Sequence, residues 1–150
     1  MPNYDYIDSN IIIETLTELD SKRKNACIEY LYSLKRYKIF TGHISFLTLG
    51  EITNAILKLS PEKRDLVYDK LSDRLKPINL IGFNDQTFHI ALELMKLDYN
   101  LMNEPADALH LAIAISRNLN RFITLEYKKF NQTLRNYVRQ RGIKITTLGY

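Results

Sequence analysis

Cysteine is almost absent from the chain: Cys27 is the only one, and tryptophan does not occur. A lone thiol excludes an internal disulfide framework and every zinc site built on paired cysteines. The three histidines, His43, His89 and His110, are too dispersed to supply a zinc cluster instead. Five glycines and four prolines leave no room for a flexible interdomain linker or a low-complexity stretch. No run approaches the roughly 18–20 apolar residues that a membrane-spanning helix needs. The opening MPNYDYID has neither the basic nor the apolar region of a secretory leader. A cytoplasmic protein with no membrane segment is therefore expected.

What the chain does contain is the composition of a globular protein, 45% hydrophobic and 25% charged over 150 residues. A chain of this length buries roughly 68–70% of the surface its unfolded form exposes, so one core suffices without staples. A single domain over residues 1–150 is expected. The formal charge of +4 is unevenly spread. From residue 117 onward, Arg117, Arg121, Lys128, Lys129, Arg135, Arg139, Arg141 and Lys144 face one acid, Glu126, whereas the rest of the chain is net acidic. Such a basic stretch attracts polyanions, because each neutralised phosphate releases condensed counterions. A solvated helix face has the same composition.

Strand and helix patterns alternate. YDYID (4–8) is a strand pattern, followed by the cap-type residues Asp8, Ser9 and Asn10 and a helix over 11–19. A helix is predicted over 22–37, then a strand within 38–46, then a helix over 47–59 in which Leu49, Ile52, Ile56 and Leu59 form one apolar stripe. Pro61 opens a helix to Leu75, and PINLIG (77–82) is a short strand. Asn84 or Asp85 caps a helix carrying Phe88, Ala91, Leu92, Leu94 and Met95. Asn103-Glu104-Pro105 opens a helix over 106–117 whose centre, ALHLAIAI, is apolar nearly all round and should be buried. RFITL (121–125) and IKITT (143–147) are strands, separated by a basic helix or helix pair over 127–141 that Gly142 ends. This alternation predicts an α/β fold: a mostly parallel sheet of about five strands flanked by helices.

Ligands of open α/β sheets bind beyond the carboxyl ends of the strands. Four acids fall there. Asp8 ends the first strand, Glu126 lies two residues past Thr124, Glu51 follows the second strand, and Asp107 sits in the first turn of the apolar helix. Singly, each has an ordinary explanation as a helix cap or a surface charge. Together they would repel one another unless a cation sat between them, and carboxylate oxygens suit the hard ions Mg²⁺ and Mn²⁺. An acidic metal site in a weakly basic protein matches the needs of a phosphodiesterase.

At these residues the chain resembles the PIN-domain nucleases, most closely the small VapC-type toxins of toxin–antitoxin pairs. YIDSNIIIETL, HISFLTLGEITNAI, NEPADALHLAIAI and RFITLEYKKF look like four segments of that family in the right order, nearly end to end. The resemblance implies a PIN-like domain and an Mg²⁺- or Mn²⁺-dependent endoribonuclease that leaves a 5′-phosphate and a 3′-hydroxyl. It carries over Asp8, Glu51 and Asp107 as the main metal-site carboxylates and Glu126 as the fourth. Ser9, Asn10 and Thr124 would orient them by hydrogen bonds. His110 is expected to be a packed histidine. Lys128, Lys129, Arg135, Arg139 and Arg141 are candidates for RNA backbone contacts. A small antitoxin protein and a second copy of the chain, as a homodimer, are the implied partners besides RNA. Two departures stand out: Glu126 where Asp is commoner, and Lys128-Lys129-Phe130 where the family usually has an acid before the Phe. The alternatives are a PIN-domain RNA-processing nuclease outside a toxin system and a catalytically silent PIN-like binding module. A phosphotransfer domain fits poorly, because Asp8-Ser9-Asn10 ends in an amide where a phosphatase needs a second Asp.

Overall fold

Alternation along the first strand sets up the layers. In β1 (Asn3–Ile7), Asp5 and Ile7 face one side of the sheet while Tyr6 faces the other. A computed structural model, which describes residues 3–37, 40–98 and 104–148, places β1 at the centre of five parallel strands. The others are β2 (Phe40–Ile44), β3 (Ile78–Leu80), β4 (Arg121–Thr124) and β5 (Lys144–Thr147), in the order β3-β2-β1-β4-β5. Parallel neighbours need crossovers, and helices supply them: α1 (Ser9–Thr15) and α2 (Lys22–Arg36), then α3 (Phe46–Leu57) and α4 (Pro61–Leu75), then α5 (Thr87–Leu97) and α6 (Pro105–Ser116), then a 3₁₀ turn (Tyr127–Lys129) and α7 (Gln132–Gln140). The expected α/β class and parallel sheet are observed. Lys38 and Ile39, read as strand, and Asn103, read as a helix start, lie outside the described residues.

The sheet separates two apolar cores. On one face Tyr6, Phe122, Phe130, Leu94, Leu111 and Val138 join β1 and β4 to α5, α6 and α7. Tyr6 stacks on Phe122 at 5.6 Å, and Phe130 meets Phe122 edge-on at 5.9 Å. On the other face Ile7, Ile11, Ile12, Leu31, Ile52 and Ile123 join the sheet to α1, α2 and α3. Here α2 comes so near the sheet that a Cβ on Gly42 would lie 2.7 Å from Leu34 Cδ1 and 2.8 Å from Ile7 Cδ1. The predicted central helix is α6, in which every residue from His110 to Ile115 is buried. Gly142, at φ +92°, terminates α7 as expected, with the Ile143 N–H donating back to the Val138 carbonyl at 2.9 Å.

The structure sharpens three readings. The first helix stops at Thr15 instead of 19, because the Thr15 and Thr17 hydroxyls donate to the carbonyls of Ile12 and Glu14 at its end and Leu19 stands in solvent. The predicted helix α5 buries Thr87, Ile90, Ala91 and Leu94, which share a face, and leaves Phe88 and Leu92 exposed on another. The basic stretch after β4 is one short turn and one helix, α7.

Candidate active site

The sheet ends in a cavity of ≈440 Å³ at the carboxyl ends of β1 and β4. Asp8, Ser9, Asn10, Glu51, Asp107 and Glu126 all line it, so all four acids singled out in the sequence converge on one place. Each arrives on a different element.

Asp8 follows β1, and its backbone N–H extends the β1–β4 ladder to the Ile123 carbonyl at 2.9 Å. It occupies the cap position of α1, yet its side chain makes no capping hydrogen bond. Instead Asp8 Oδ2 accepts from Thr124 Oγ1 at 2.8 Å and from Asn10 Nδ2 at 3.2 Å. Asn10 Oδ1 in turn accepts from the Leu125 N–H, and Thr124 Oγ1 accepts from the Glu126 N–H at 3.1 Å. These bonds lash the first acid to the strand that delivers the last. Of the three residues expected to orient carboxylates, Asn10 and Thr124 therefore bond Asp8, while Ser9 lines the cavity beside it. Burial pushes the Asp8 carboxyl above its ordinary pKa, against the opposing pull of Lys129, His110 and the Thr124 hydroxyl.

Asp107 sits in the first turn of α6, where the helix dipole favours a negative charge. Glu104, just ahead of the helix, lies within hydrogen-bonding reach of it. The hydrogen bond and charge of Asp107 raise the Glu104 pKa above the ordinary carboxyl value. Glu104 is a fifth acid of the cavity that sequence reading missed, although Glu104 and Asp107 stand three residues apart at a helix start, a spacing that puts both on one side.

Glu51 projects from the second turn of α3, and its Oε1 bonds His110 Nε2. His110 is fully buried, and its Nδ1 lies 2.6 Å from the Tyr6 hydroxyl. That hydroxyl also lies 2.8 Å from Ser45 Oγ and 3.2 Å from Thr48 Oγ1. Burial raises the Tyr6 pKa despite those hydroxyl neighbours, so the phenol stays protonated. A carboxylate oxygen only accepts, so His110 Nε2 donates to Glu51 while Nδ1 faces the Tyr6 hydroxyl. The packed histidine expected from the sequence thus also fixes one of the acids.

Lys129 was expected on a phosphate-binding face. The structure instead places its ammonium among the carboxylates, 2.9 Å from Glu126 Oε2, 3.0 Å from Asp107 Oδ1 and 3.8 Å from Asp8 Oδ2. Burial works against this charge, but Asp8, Asp107 and the bonds from Glu126 and Asp107 outweigh it and hold the pKa above the ordinary lysine value. Among the described residues no three carboxylate, imidazole or thiol groups stand together as a compact metal donor set. The acids are spread around the ammonium. Their chemistry nonetheless suits a hard divalent ion: every donor is a carboxylate oxygen, and the cluster already receives a cation.

The other basic candidates scatter. Arg135 stacks over the Tyr127 ring at 4.6 Å and donates to the Phe130 carbonyl and Gln132 Oε1. Arg141 donates to the Tyr137 hydroxyl at 3.0 Å and pairs with Glu93. Lys128 and Arg139 are exposed.

Comparison with known proteins gives this geometry its family. A model of the PIN domain matches residues 6–133. Among solved structures, VapBC2 from Rickettsia felis bound to a DNA fragment from its promoter is similar over 97% of this chain and 99% of that one, at 18% identity and a TM-score of 0.67. DNA-bound VapBC from Salmonella typhimurium is similar over 98% of each chain, at 20% identity and a TM-score of 0.62. VapBC-5 from Mycobacterium tuberculosis covers 98% of this chain and 100% of its own, at 16% identity and a TM-score of 0.60. At such identities the likeness is one of fold. No curated protein matched the sequence.

Proposed function

The chain belongs to the PIN domain family, and from that premise we propose that it is a metal-dependent endoribonuclease, the toxin of a VapBC-type pair, acting as a single domain over residues 1–150. The observation that carries the reading is the convergence of Asp8, Glu51, Asp107 and Glu126 on one cavity at the strand ends. Asp8 gives the sharpest support, since a residue placed to cap a helix turns its carboxylate to the cavity instead.

Asp8, Glu51 and Asp107 would be the main holders of Mg²⁺ or Mn²⁺, with Glu126 as a supporting fourth; when bound, the ion supplies a water activated for attack and a counter-charge for the scissile phosphate. The chain's own residues do the rest. Thr124 and Asn10 hold Asp8 in one orientation, and Tyr6 and His110 do the same for Glu51. Glu104 adds a fifth carboxyl at the cavity rim, beside Asp107. Exposed Lys128 and Arg139 offer charge to an RNA backbone. Arg135 and Arg141 could join only by leaving partners in their own chain, and Lys129 is held inside the cavity by Asp107 and Glu126.

In the toxin reading a small antitoxin covers the cavity, and a basic side chain of that partner competes for the carboxylates. A homodimer and a cytoplasmic location belong to the same reading. Among the described residues no helix is long and apolar enough to cross a membrane.

The test is cleavage of a structured RNA pool by the purified, partner-free chain with Mn²⁺, Mg²⁺ or EDTA, beside Asp8→Asn. Metal-dependent cuts that disappear in the variant are expected. Cleavage that persists in EDTA or in Asp8→Asn would refute the assignment of the acids. No cleavage with either metal would favour a silent binding module.

A further inference from the structure

Lys129 is not a surface charge that happens to reach an acid. The 3₁₀ turn that carries it is closed by backbone bonds from Lys129 N–H to the Glu126 carbonyl and from Phe130 N–H to the Tyr127 carbonyl, each 3.2 Å. The next residue, Phe130, is fully buried in the core against Phe122, and Asn131 caps α7 immediately afterwards. The stem of Lys129 is therefore anchored on both sides, and its ammonium passes over the Phe130 ring, 5.3 Å from the centroid, to enter the cavity.

Its partners come from three elements: Asp8 after β1, Asp107 at the head of α6 and Glu126 after β4. The oxygens nearest to it, Asp107 Oδ1 and Glu126 Oε2, are the pair that an ion bridging α6 and the end of β4 would need. Glu51, on the remaining side of the cavity, has its oxygen turned to His110 and none to Lys129 within ion-pair distance. Positive charge is thus already seated between Asp107 and Glu126, whereas Asp8 has only the longest of the three contacts, 3.8 Å, and Glu51 has none.

We propose that Lys129 takes the place of a second metal ion between Asp107 and Glu126, so that this site loads one divalent ion, on the side of Asp8 and Glu51. The inference rests on the proposed metal-dependent function and says how many ions that function uses. Two-metal phosphodiesterases hold their ions roughly 3.5–4 Å apart, bridged by shared carboxylates. Here the second position is occupied by a group that the backbone delivers and that cannot diffuse away. Its charge is one unit where a metal would bring two, and it cannot activate a water. Lys129 is accordingly a positioning residue: it holds Asp107 and Glu126 together and offsets their charge, without replacing the chemistry of the remaining ion.

The experiment counts ions. Mn²⁺ is titrated into the purified full chain and into Lys129→Met and Lys129→Gln, with bound ion measured calorimetrically and by electron paramagnetic resonance. Thermal melts establish that each variant is folded. One Mn²⁺ per wild-type chain is expected, and two in the variants, whose spectra should show the magnetic coupling of a close ion pair. Two ions in the wild type would overturn the proposal and leave the metal-dependent reading standing. So would one ion in all three proteins, because the ammonium would then be excluding nothing. No binding by the wild type but one ion in the variants would also overturn it, since Lys129 would then fill the only site. No Mn²⁺ bound by any of them would remove the metal-dependent function itself, and this inference with it.

Discussion

Replacing Arg121 with Met tests how the two strands that deliver the acids are held together. Arg121 opens β4 and lies opposite Asp5 of β1 in the sheet register. Its Nε and Nη2 donate to the two carboxylate oxygens of Asp5, each at 2.6 Å, and the Tyr30 hydroxyl of α2 donates to the same carboxylate at 2.6 Å. Asp5 is fully buried, while 24% of the Arg121 side chain remains exposed. Removing one partner of a buried pair costs about 3–5 kcal/mol, mostly because the remaining charge is left unpaired in a poor solvent. The partial exposure of Arg121 and the surviving Tyr30 bond argue for the lower end, about 3 kcal/mol. For a chain of this size that corresponds to a fall in Tm of roughly 6–12 °C. Urea unfolding followed by far-ultraviolet circular dichroism at neutral pH, without metal, measures it, with an unchanged m value as the control for two-state behaviour. The reasoning also demands that Asp5→Leu, Tyr30→Phe and Arg121→Met together recover most of the loss, because an apolar replacement of a buried ion pair is close to neutral. A loss below about 1 kcal/mol in the single variant would place this pair with solvent-screened surface bridges and refute the account.

Two further perturbations separate packing from chemistry. Gly42→Ala forces a methyl against Leu34 and Ile7 and should destabilise by about 1–3 kcal/mol, read as a lower urea midpoint; a midpoint equal to wild type would mean that those side chains yield freely. Asp8→Asn should raise the melting temperature of the metal-free protein at neutral pH. The folded state lifts the Asp8 pKa above its ordinary 3.8, so the stability tied to its proton is complete below that value and is lost as pH rises through the folded pKa. The advantage of the variant should therefore vanish at more acidic pH, and Mn²⁺ should reverse the order at neutral pH by stabilising only the wild type. A variant that melts lower than wild type without metal at neutral pH would contradict the burial argument.

The parts of this protein that sequence made legible share a physical character. The start of the helix from Pro61 to Leu75 was readable because a cap-type Ser and a Pro mark it. The central helix was readable because ALHLAIAI is apolar on all sides and must be buried. The four acids were readable because each stands at a strand end or helix start, and the alternating pattern says where those ends meet. What stayed hidden depends on direction. Lys129 reads as one of eight basic residues near the end of the chain until the 3₁₀ turn and the buried Phe130 aim it inward. His110 is only a polar interruption of an apolar helix until Tyr6 and Glu51 arrive from two other elements. Phe88 and Leu92 show the converse, apolar residues whose shared face of α5 lies in solvent.

The sheet that divides the interior into two cores also divides what the chain can tolerate. A change on the α2 side, such as a resized Leu31, has few packing neighbours in common with one on the α5 side, such as a resized Leu94. Their costs should therefore add without compounding. Each half is free to drift in composition provided that it fills its own volume. The seam is different: Asp8, Thr124, Glu51 and His110 bind across elements from both layers, so a substitution there must satisfy both at once. A fold built this way can diverge widely in its fillings while its strand ends change little.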